Sequence, residues 1–309
     1  MNFGFVSDFD IRISDFQILL PATDNNDFGK TMASIKQELK EYGLFPKKRL
    51  GQHFLVDQDI LNEVVRVAQV GKEDAVLEVG PGLGEMTLAL ARLAKQVTAV
   101  EIDPRFVRIL KKKLADWPNV EVVEADILRV DFKSFLTREG RPLKVVANLP
   151  YQISTPLLFR FIETKDVFST LTLMLQKEVA ARMAASPGRK EYGPLSVFAQ
   201  LFLDASVLFF IKPAAFFPPP KVESAVVHMV WKERPMVEPR DEAWLKRVVK
   251  ASFGYRRKTL VNALKHSELP LPESVESRME AVEIDPRRRP ETLAIEEFIR
   301  LAEALRNFE

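Results

Sequence analysis

The stretch Ala75-Val76-Leu77-Glu78-Val79-Gly80-Pro81-Gly82-Leu83-Gly84 decides the fold. Its first half is a short, nearly continuous apolar run, the pattern of a strand buried on both faces of a parallel sheet. Its second half is a glycine-rich turn, after which Glu85 to about Lys95 reads as a helix. Strand, glycine turn and helix in that order open a doubly wound α/β sheet, where a backbone without side chains lets a ligand approach closely. The spacing is Gly-x-Gly-x-Gly, whereas dinucleotide binders carry Gly-x-Gly-x-x-Gly. That difference favours a ligand without a pyrophosphate.

Outward from this turn, three further strands end in polar residues. The second, Val97 to Ile102, ends in Glu101 and Asp103, about 20 residues beyond the glycines, where an acid commonly holds ribose hydroxyls. Pro104 then opens a helix at its favoured first position. The third strand, Val120 to Ala125, ends in Asp126, placed to meet an adenine amino group, and the fourth, Val145 to Asn148, runs into Leu149-Pro150-Tyr151. Gly80, Glu101, Asp126 and Asn148 therefore share one rim, the carboxyl ends of the strands, where ligands of open α/β sheets bind. A lone acid at a strand end is usually a helix cap; four polar ends in series call for a site.

Asn148-Leu149-Pro150-Tyr151 suits one chemical problem. An exocyclic amine on a nucleobase is a poor nucleophile, because its lone pair is delocalised into the ring. The Asn148 side-chain oxygen and the Leu149 carbonyl can accept both amine hydrogens and favour a pyramidal nitrogen. Pro150, with a fixed φ and no N–H, stiffens the turn, and Tyr151 offers a face for a splayed-out base. Taken alone, the same four residues would equally make an ordinary turn after a strand.

The remaining chain bounds the reading. At 309 residues, with 47% hydrophobic and 28% charged content, it has room for a large core and two domains. There is no cysteine, so disulfides, thiolate metal sites and cysteine nucleophiles are excluded. His53, His228 and His266 lie far apart without ligand spacing, and no metal is expected. A net charge of +2 makes any nucleic-acid surface a local patch. No apolar run approaches a membrane span and no signal sequence opens the chain, which makes the cytoplasm the default location. Nothing resembling a heptad or a large apolar stripe suggests a partner helix, so a monomer is expected.

Residues 1–31 read differently from the rest, as an N-terminal extension or an early start site. Met32 precedes a helical pattern from Ile35 to Tyr42, and a chain beginning at Met32 is expected to keep full activity. Asp57 or Asp59 can cap a helix over Ile60 to Ala68. After Tyr151 come a helix opened by Pro156, a strand over Leu171 to Gln176, helices from Glu178 and over Tyr192 to Leu203, and a strand over Ser206 to Ile211. Phe216-Phe217-Pro218-Pro219-Pro220-Lys221 reads as a rigid loop with exposed aromatics, one ring at a site mouth, before Ala225 to Trp231 closes the sheet. Pro235 to Pro239 reads as a linker to helices over Glu242 to Phe253, Lys258 to Lys265 and Leu293 to Phe308. Between Arg240 and Lys265 lie eight Lys or Arg and two acids, an imbalance that suits an RNA backbone. The basic candidates are Lys47, Lys48, Arg49, Lys221, Arg247, Lys250, Arg256, Arg257 and Lys258.

These residues closely resemble the ribosomal RNA adenine N6-dimethyltransferases of the KsgA type, which act on the small subunit. The likeness runs from about Lys47 to the C-terminus, through Arg49 to Leu55, Glu78 to Gly84, Asn148 to Tyr151, Phe216 to Ser224 and Phe253 to Leu260. The resemblance implies a Rossmann-like, doubly wound, seven-stranded methyltransferase domain over 32–234 and a small all-helical RNA-binding domain over 235–309. It implies S-adenosylmethionine as methyl donor, held by His53, Leu55, Gly80, Glu101, Asp126 and Asn148. Many members carry Asn at position 53. The target base would stack between Tyr151 and Phe216, with Asn148, Leu149 and Pro150 at the reacting amine. The implied reaction dimethylates the N6 atoms of two adjacent adenosines in a hairpin near the 3′ end of small-subunit rRNA, with immature small subunits as partner. Rival readings are the large-subunit methyltransferases of macrolide resistance, which share the Asn-to-aromatic motif, and a small-subunit assembly factor that does not depend on catalysis.

Overall fold

The computed structural model describes residues 32–47, 50–137, 140–233, 239–255 and 257–306. In chain order the elements begin with α1 (Met32–Glu41), β1 (Phe54–Leu55), α2 (Gln58–Val67), β2 (Ala75–Val79), α3 (Glu85–Ala91), β3 (Gln96–Glu101) and α4 (Pro104–Lys113). Next come β4 (Val120–Glu124), β5 (Leu143–Asn148), α5 (Ser154–Glu163), β6 (Phe168–Gln176), α6 (Lys177–Met183), α7 (Pro194–Phe202), β7 (Leu203–Ile211), β8 (Phe216–Phe217) and β9 (Ser224–Trp231). The chain finishes with α8 (Pro239–Ser252), α9 (Leu260–Lys265), α10 (Val275–Ala281) and α11 (Ile295–Ala304). Residues 1–31, on which the expected extension falls, lie outside the described residues.

Seven strands form one sheet in the order β4-β3-β2-β5-β6-β9-β7. Pairs β2–β3, β3–β4, β2–β5 and β5–β6 are parallel, and β6–β9 is antiparallel. The chain steps outward from β2 to β4 and then crosses back to β5 on the other side of β2. Gly80 and Asn148 therefore flank the topological switch point, where such sheets bind ligands.

One expectation is corrected here. The last strand does not close the sheet: β9 inserts between β6 and β7, leaving β7 at the edge. Burial explains the order. Strand β9 is buried from Ser224 to Val227, whereas β7 exposes Asp204 and Phe210, residues an edge tolerates better than a centre.

Helices cover the sheet through apolar stripes at helical spacing. Leu61, Val64 and Val65 of α2 pack with Leu90 of α3 and with Val76 and Val146, while Ile35 and Leu39 of α1 pack with Phe106 and Leu110 of α4. Two caps fix helix starts: Asp57, not Asp59, accepts the Ile60 N–H at 3.1 Å, and Asp103 accepts the Arg105 N–H at 3.2 Å.

The chain divides into two compact units, one running to Ala180 and including Ala205–Trp231, the other made of Ala181–Asp204 and the chain from Lys232. This division differs from the single cut expected at 234/235 in that it groups α7 with the second unit. Every residue from Leu195 to Phe202 is buried, so α7 needs neighbours on all sides. It finds them in α8, where Lys246 lies 5.1 Å over the Phe202 ring, and in the Met183 and Ala185 carbonyls, which accept from Gln200 at 3.1 and 2.9 Å. Tyr192 meets Phe253 edge to face and Phe253 packs tilted against Phe298, continuing this core, and the Trp244 indole donates to the Ala302 carbonyl at 2.7 Å. Helix α10, within the same unit, was not foreseen from the sequence.

Candidate active site

The glycine turn builds the floor of the site. Gly82 sits at φ +58°, and a Cβ there would lie 2.8 Å from the Phe54 ring, so only glycine fits both backbone and neighbour. Its N–H points to the Glu101 carboxylate at 3.4 Å, and the Asp103 N–H reaches the same carboxylate at 2.9 Å. Glu101 is 5% exposed, and burial pushes its carboxyl up while the N–H groups of Asp103, Gly82 and Ile102 pull it back. Asp103 behaves oppositely. Its hydrogen bonds to Arg105, with Lys47 3.1 Å away, hold it well below the usual carboxylate range.

Asn148, at the end of β5, is held from across the site. Its amide nitrogen donates to the His53 main-chain carbonyl at 2.9 Å. Because a carbonyl only accepts, that bond commits the Asn148 NH2 and leaves the side-chain oxygen as the acceptor. The His53 ring is fixed in turn: Nδ1 donates to the Pro218 carbonyl at 2.6 Å, and the ring stacks on Tyr151 with centroids 5.3 Å apart. The Tyr151 hydroxyl and Ser224 Oγ lie 2.7 Å apart, and burial raises the phenol's pKa. The loop after Asn148 is anchored by the Leu149 N–H on Met174 and by Ser154 Oγ on the Tyr151 carbonyl.

A cavity of about 230 Å³ opens here, and it gathers most of the residues expected from sequence. Gly80, Glu101, Asp126 and Asn148 line it from four strand ends, with His53 opposite and Leu149, Pro150 and Tyr151 along one side. Leu55 lines a smaller adjoining cavity that shares His53, Gly80 and Asn148. Asp126 is partly exposed and caps the Leu128 N–H at 3.0 Å. Among the wall residues that the sequence did not single out is Ile102: 49% exposed between two buried acids, it offers an apolar face to a flat ring. Its signal is an apolar residue at a strand end, where solvent would otherwise be expected.

Phe216 is a correction. Its ring, expected exposed at the site mouth, is fully buried in the core with Met174 and Val226 and is absent from the cavity wall. The reason is tertiary. Phe216 pairs with Leu55 in the antiparallel β1–β8 ribbon, which points the ring inward, while the adjacent Phe217 is half-buried beneath the Lys36 ammonium at 5.0 Å. The ribbon's effect is to tie the His53–Leu55 segment to the proline loop.

The basic candidates are distributed over both units. In the first, Lys47 is partly buried beside Asp103 and Lys221 is exposed. In the second, Arg247, Lys250 and Arg257 are exposed, Arg247 stacks on the Trp244 ring at 5.3 Å, and Lys258 lies 3.0 Å from His266 Nε2. Lys48, Arg49 and Arg256 lie outside the described residues. Among the described residues, no cluster of three or more His, Asp or Glu could hold a metal ion, and no helix is long and apolar enough to cross a membrane.

Comparison with known proteins agrees with this geometry. The family described as ribosomal RNA adenine dimethylase matches residues 45–307. A ribosomal RNA small subunit methyltransferase A from Geobacter metallireducens is 46% identical over 265 residues, covering 85% of this chain and 96% of the relative. The protein of the same name from Shouchella clausii is 41% identical over 280 residues, covering 89% and 95%. Among solved structures, a dimethyladenosine transferase from Plasmodium falciparum superposes with a TM-score of 0.64 at 29% identity, covering 79% of this chain and 94% of that one. The 23S rRNA methyltransferase ErmE gives 0.59 at 27% identity, covering 82% and 99%.

Proposed function

The chain belongs to the ribosomal RNA adenine dimethylase family, and we propose that its cavity holds S-adenosylmethionine beside a flipped-out adenosine whose N6 amine is held by Asn148. The reaction is dimethylation of the N6 amines of two adjacent adenosines in the 3′-terminal hairpin of small-subunit rRNA.

The donor set of the cavity suits the cofactor. Glu101 and Asp126 are acceptors for ribose hydroxyls and an adenine amino group, Ile102 is an apolar wall for the adenine, and the glycine turn leaves room for close approach. S-adenosylmethionine supplies an electrophilic methyl on a positive sulfur. Everything else falls to the protein's own residues. The Asn148 side-chain oxygen and the Leu149 carbonyl accept the two amine hydrogens and turn the nitrogen lone pair outward. Pro150 stiffens that turn, and Tyr151 gives the base a face to stack on. Such positioning supplies most of the acceleration. The methylated nitrogen becomes acidic enough to lose its proton to water, so no dedicated base is needed. The base must be released or turned, and the spent cofactor exchanged, before the second methyl is transferred.

The observation that carries this reading is the Asn148 amide locked on the His53 carbonyl, which orients the acceptor oxygen before any substrate arrives. The exposed cations Lys221, Arg247, Lys250 and Arg257, with Lys258, are proposed as contacts to the rRNA backbone. A cytoplasmic monomer acting on immature small subunits completes the proposal. It is tested by methyl transfer from labelled S-adenosylmethionine to unmethylated small and large subunits in parallel, with nucleoside analysis. Dimethyladenosine confined to small-subunit RNA is expected. Label on large-subunit RNA would move the chain toward the likeness it shares with the 23S enzyme, and binding without transfer would leave an assembly factor.

A further inference from the structure

Near the carboxyl end of β7 an aromatic ring stands in solvent beside lysines. Phe210 is 44% exposed, and Val222, in the loop that leads into β9, is 43% exposed. Lys177, the residue that follows β6, lies over the Phe210 ring at 4.8 Å and donates to the Glu223 carboxylate at 2.8 Å. That hydrogen bond, the Lys177 charge and then the Lys212 charge lower the Glu223 carboxyl, which places Lys212 in the same patch. Lys221, also exposed, comes just before Val222, so three lysines stand here against the acids Glu178 and Glu223. The patch is joined to the proposed base site. Ser224, which follows Glu223, meets the Tyr151 hydroxyl at 2.7 Å, and it pairs across β6–β9 with Gln176, which precedes Lys177. One residue on each strand therefore separates the partner of Tyr151 from the ion pair beside Phe210.

An edge strand gains little stability by presenting a phenylalanine to water. An exposed cation–π contact is weak, and an apolar edge invites association. Aromatic rings interleaved with cations are, however, the surface that single-stranded nucleic acid takes, the rings stacking bases and the lysines following the phosphates. Lys177 holds one face of the Phe210 ring, and the remaining exposure is available to a flat partner. Base flipping creates such a partner. When an adenosine leaves its stack to reach Asn148, the base beside it in the strand loses a neighbour. Resting on the methyl-transfer reading above, we propose that Phe210 stacks the nucleobase adjoining the flipped adenosine, with Lys177, Lys212 and Lys221 along the phosphates. Stacking there returns part of the free energy that flipping costs, and it leaves the cofactor site unaltered. A patch to one side of Tyr151 serves one neighbour of the target, 5′ or 3′, and not both.

The test is a mutant cycle between protein and RNA. Small subunits are reconstituted with a single target adenosine, the other adenosine of the pair being replaced by guanosine. They carry either a normal base or an abasic ribose at each nucleotide flanking the target in turn. With normal bases, Phe210→Ala is expected to lower kcat/KM for the subunit about 10-fold, within the range of one base–aromatic stack, and Phe210→Trp to keep it within about twofold. At one flanking position the abasic ribose lowers transfer by the unaltered protein by a similar factor, yet costs Phe210→Ala less than about a further twofold. S-adenosylhomocysteine binds the unaltered protein and Phe210→Ala equally, which a general loss of structure would not allow. Losses that add at both flanking positions, or a Phe210→Ala protein within about twofold of the unaltered one on normal subunits, overturn the assignment. No transfer by the unaltered protein to any of these subunits is a different result, which removes the methyl-transfer reading and this site with it.

Discussion

Asn148 and His53, 95 residues apart in sequence, hold each other in the structure: the Asn148 side-chain amide donates to the His53 main-chain carbonyl at 2.9 Å. The bond selects one of two amide orientations and presents the oxygen as the acceptor. Asn148→Ala removes that acceptor and one part-buried hydrogen bond. Methyl transfer to small subunits is expected to fall at least about 100-fold, the scale of losing a group that orients or stabilises the reacting atoms, while stability falls by only about 1 kcal/mol. Single-turnover transfer alongside thermal unfolding checks both; near-normal transfer would refute the role given to Asn148.

Tyr151 separates its ring from its hydroxyl. Tyr151→Phe loses the contact with Ser224 but keeps the ring on His53, so transfer is expected to stay within about fivefold, since one net hydrogen bond is worth about 1 kcal/mol. Tyr151→Ala removes the stacking face, worth about 1–3 kcal/mol per base, and should lower kcat/KM for subunits about 10- to 100-fold. Steady-state kinetics with both variants decides the matter.

Phe216 is treated by the structure as core, and its variants should behave accordingly. Phe216→Ala leaves a hole in a fully buried cluster and is expected to cost about 3–5 kcal/mol. Phe216→Leu should recover most of that stability and most of the activity. Denaturant unfolding with transfer assays gives the answer. A leucine variant that is stable yet inactive would restore the ring as a direct partner of the target base.

Gly82→Ala tests the floor of the site. A Cβ 2.8 Å from the Phe54 ring at φ +58° adds strain and displaces a neighbour, for a loss of about 2–3 kcal/mol. S-adenosylhomocysteine binding should weaken with it, because the Gly82 N–H helps to place Glu101.

Glu78 makes the ligand-free protein pH-sensitive. Its folded-state pKa, about 8, lies above the ordinary 4.5, so between these values the folded state binds more protons than the unfolded one. Stability from this group is fully present below about 4.5 and is lost as pH rises through about 8, up to roughly 4–5 kcal/mol over the window. The melting temperature of the unaltered protein relative to Glu78→Gln should therefore drop between pH 5 and pH 9.

What the sequence by itself determined was local and periodic. The apolar run before Gly80, the positive-φ turn, the acids at strand ends and Asn148 before Pro150 each declare their role within a few residues, because strand burial, helix caps and tight turns are set by near neighbours. The rim of Gly80, Glu101, Asp126 and Asn148 was legible for that reason. Tertiary structure decided what depends on distant partners. It placed β9 inside the sheet, joined α7 to the C-terminal helices, and paired Leu55 with Phe216, which turned an exposed-looking ring into core. It also left Glu78, one unremarkable acid within a strand, without a partner. Burial and pairing are properties of the surroundings of a side chain, and those surroundings exist only once segments far apart in the chain have met.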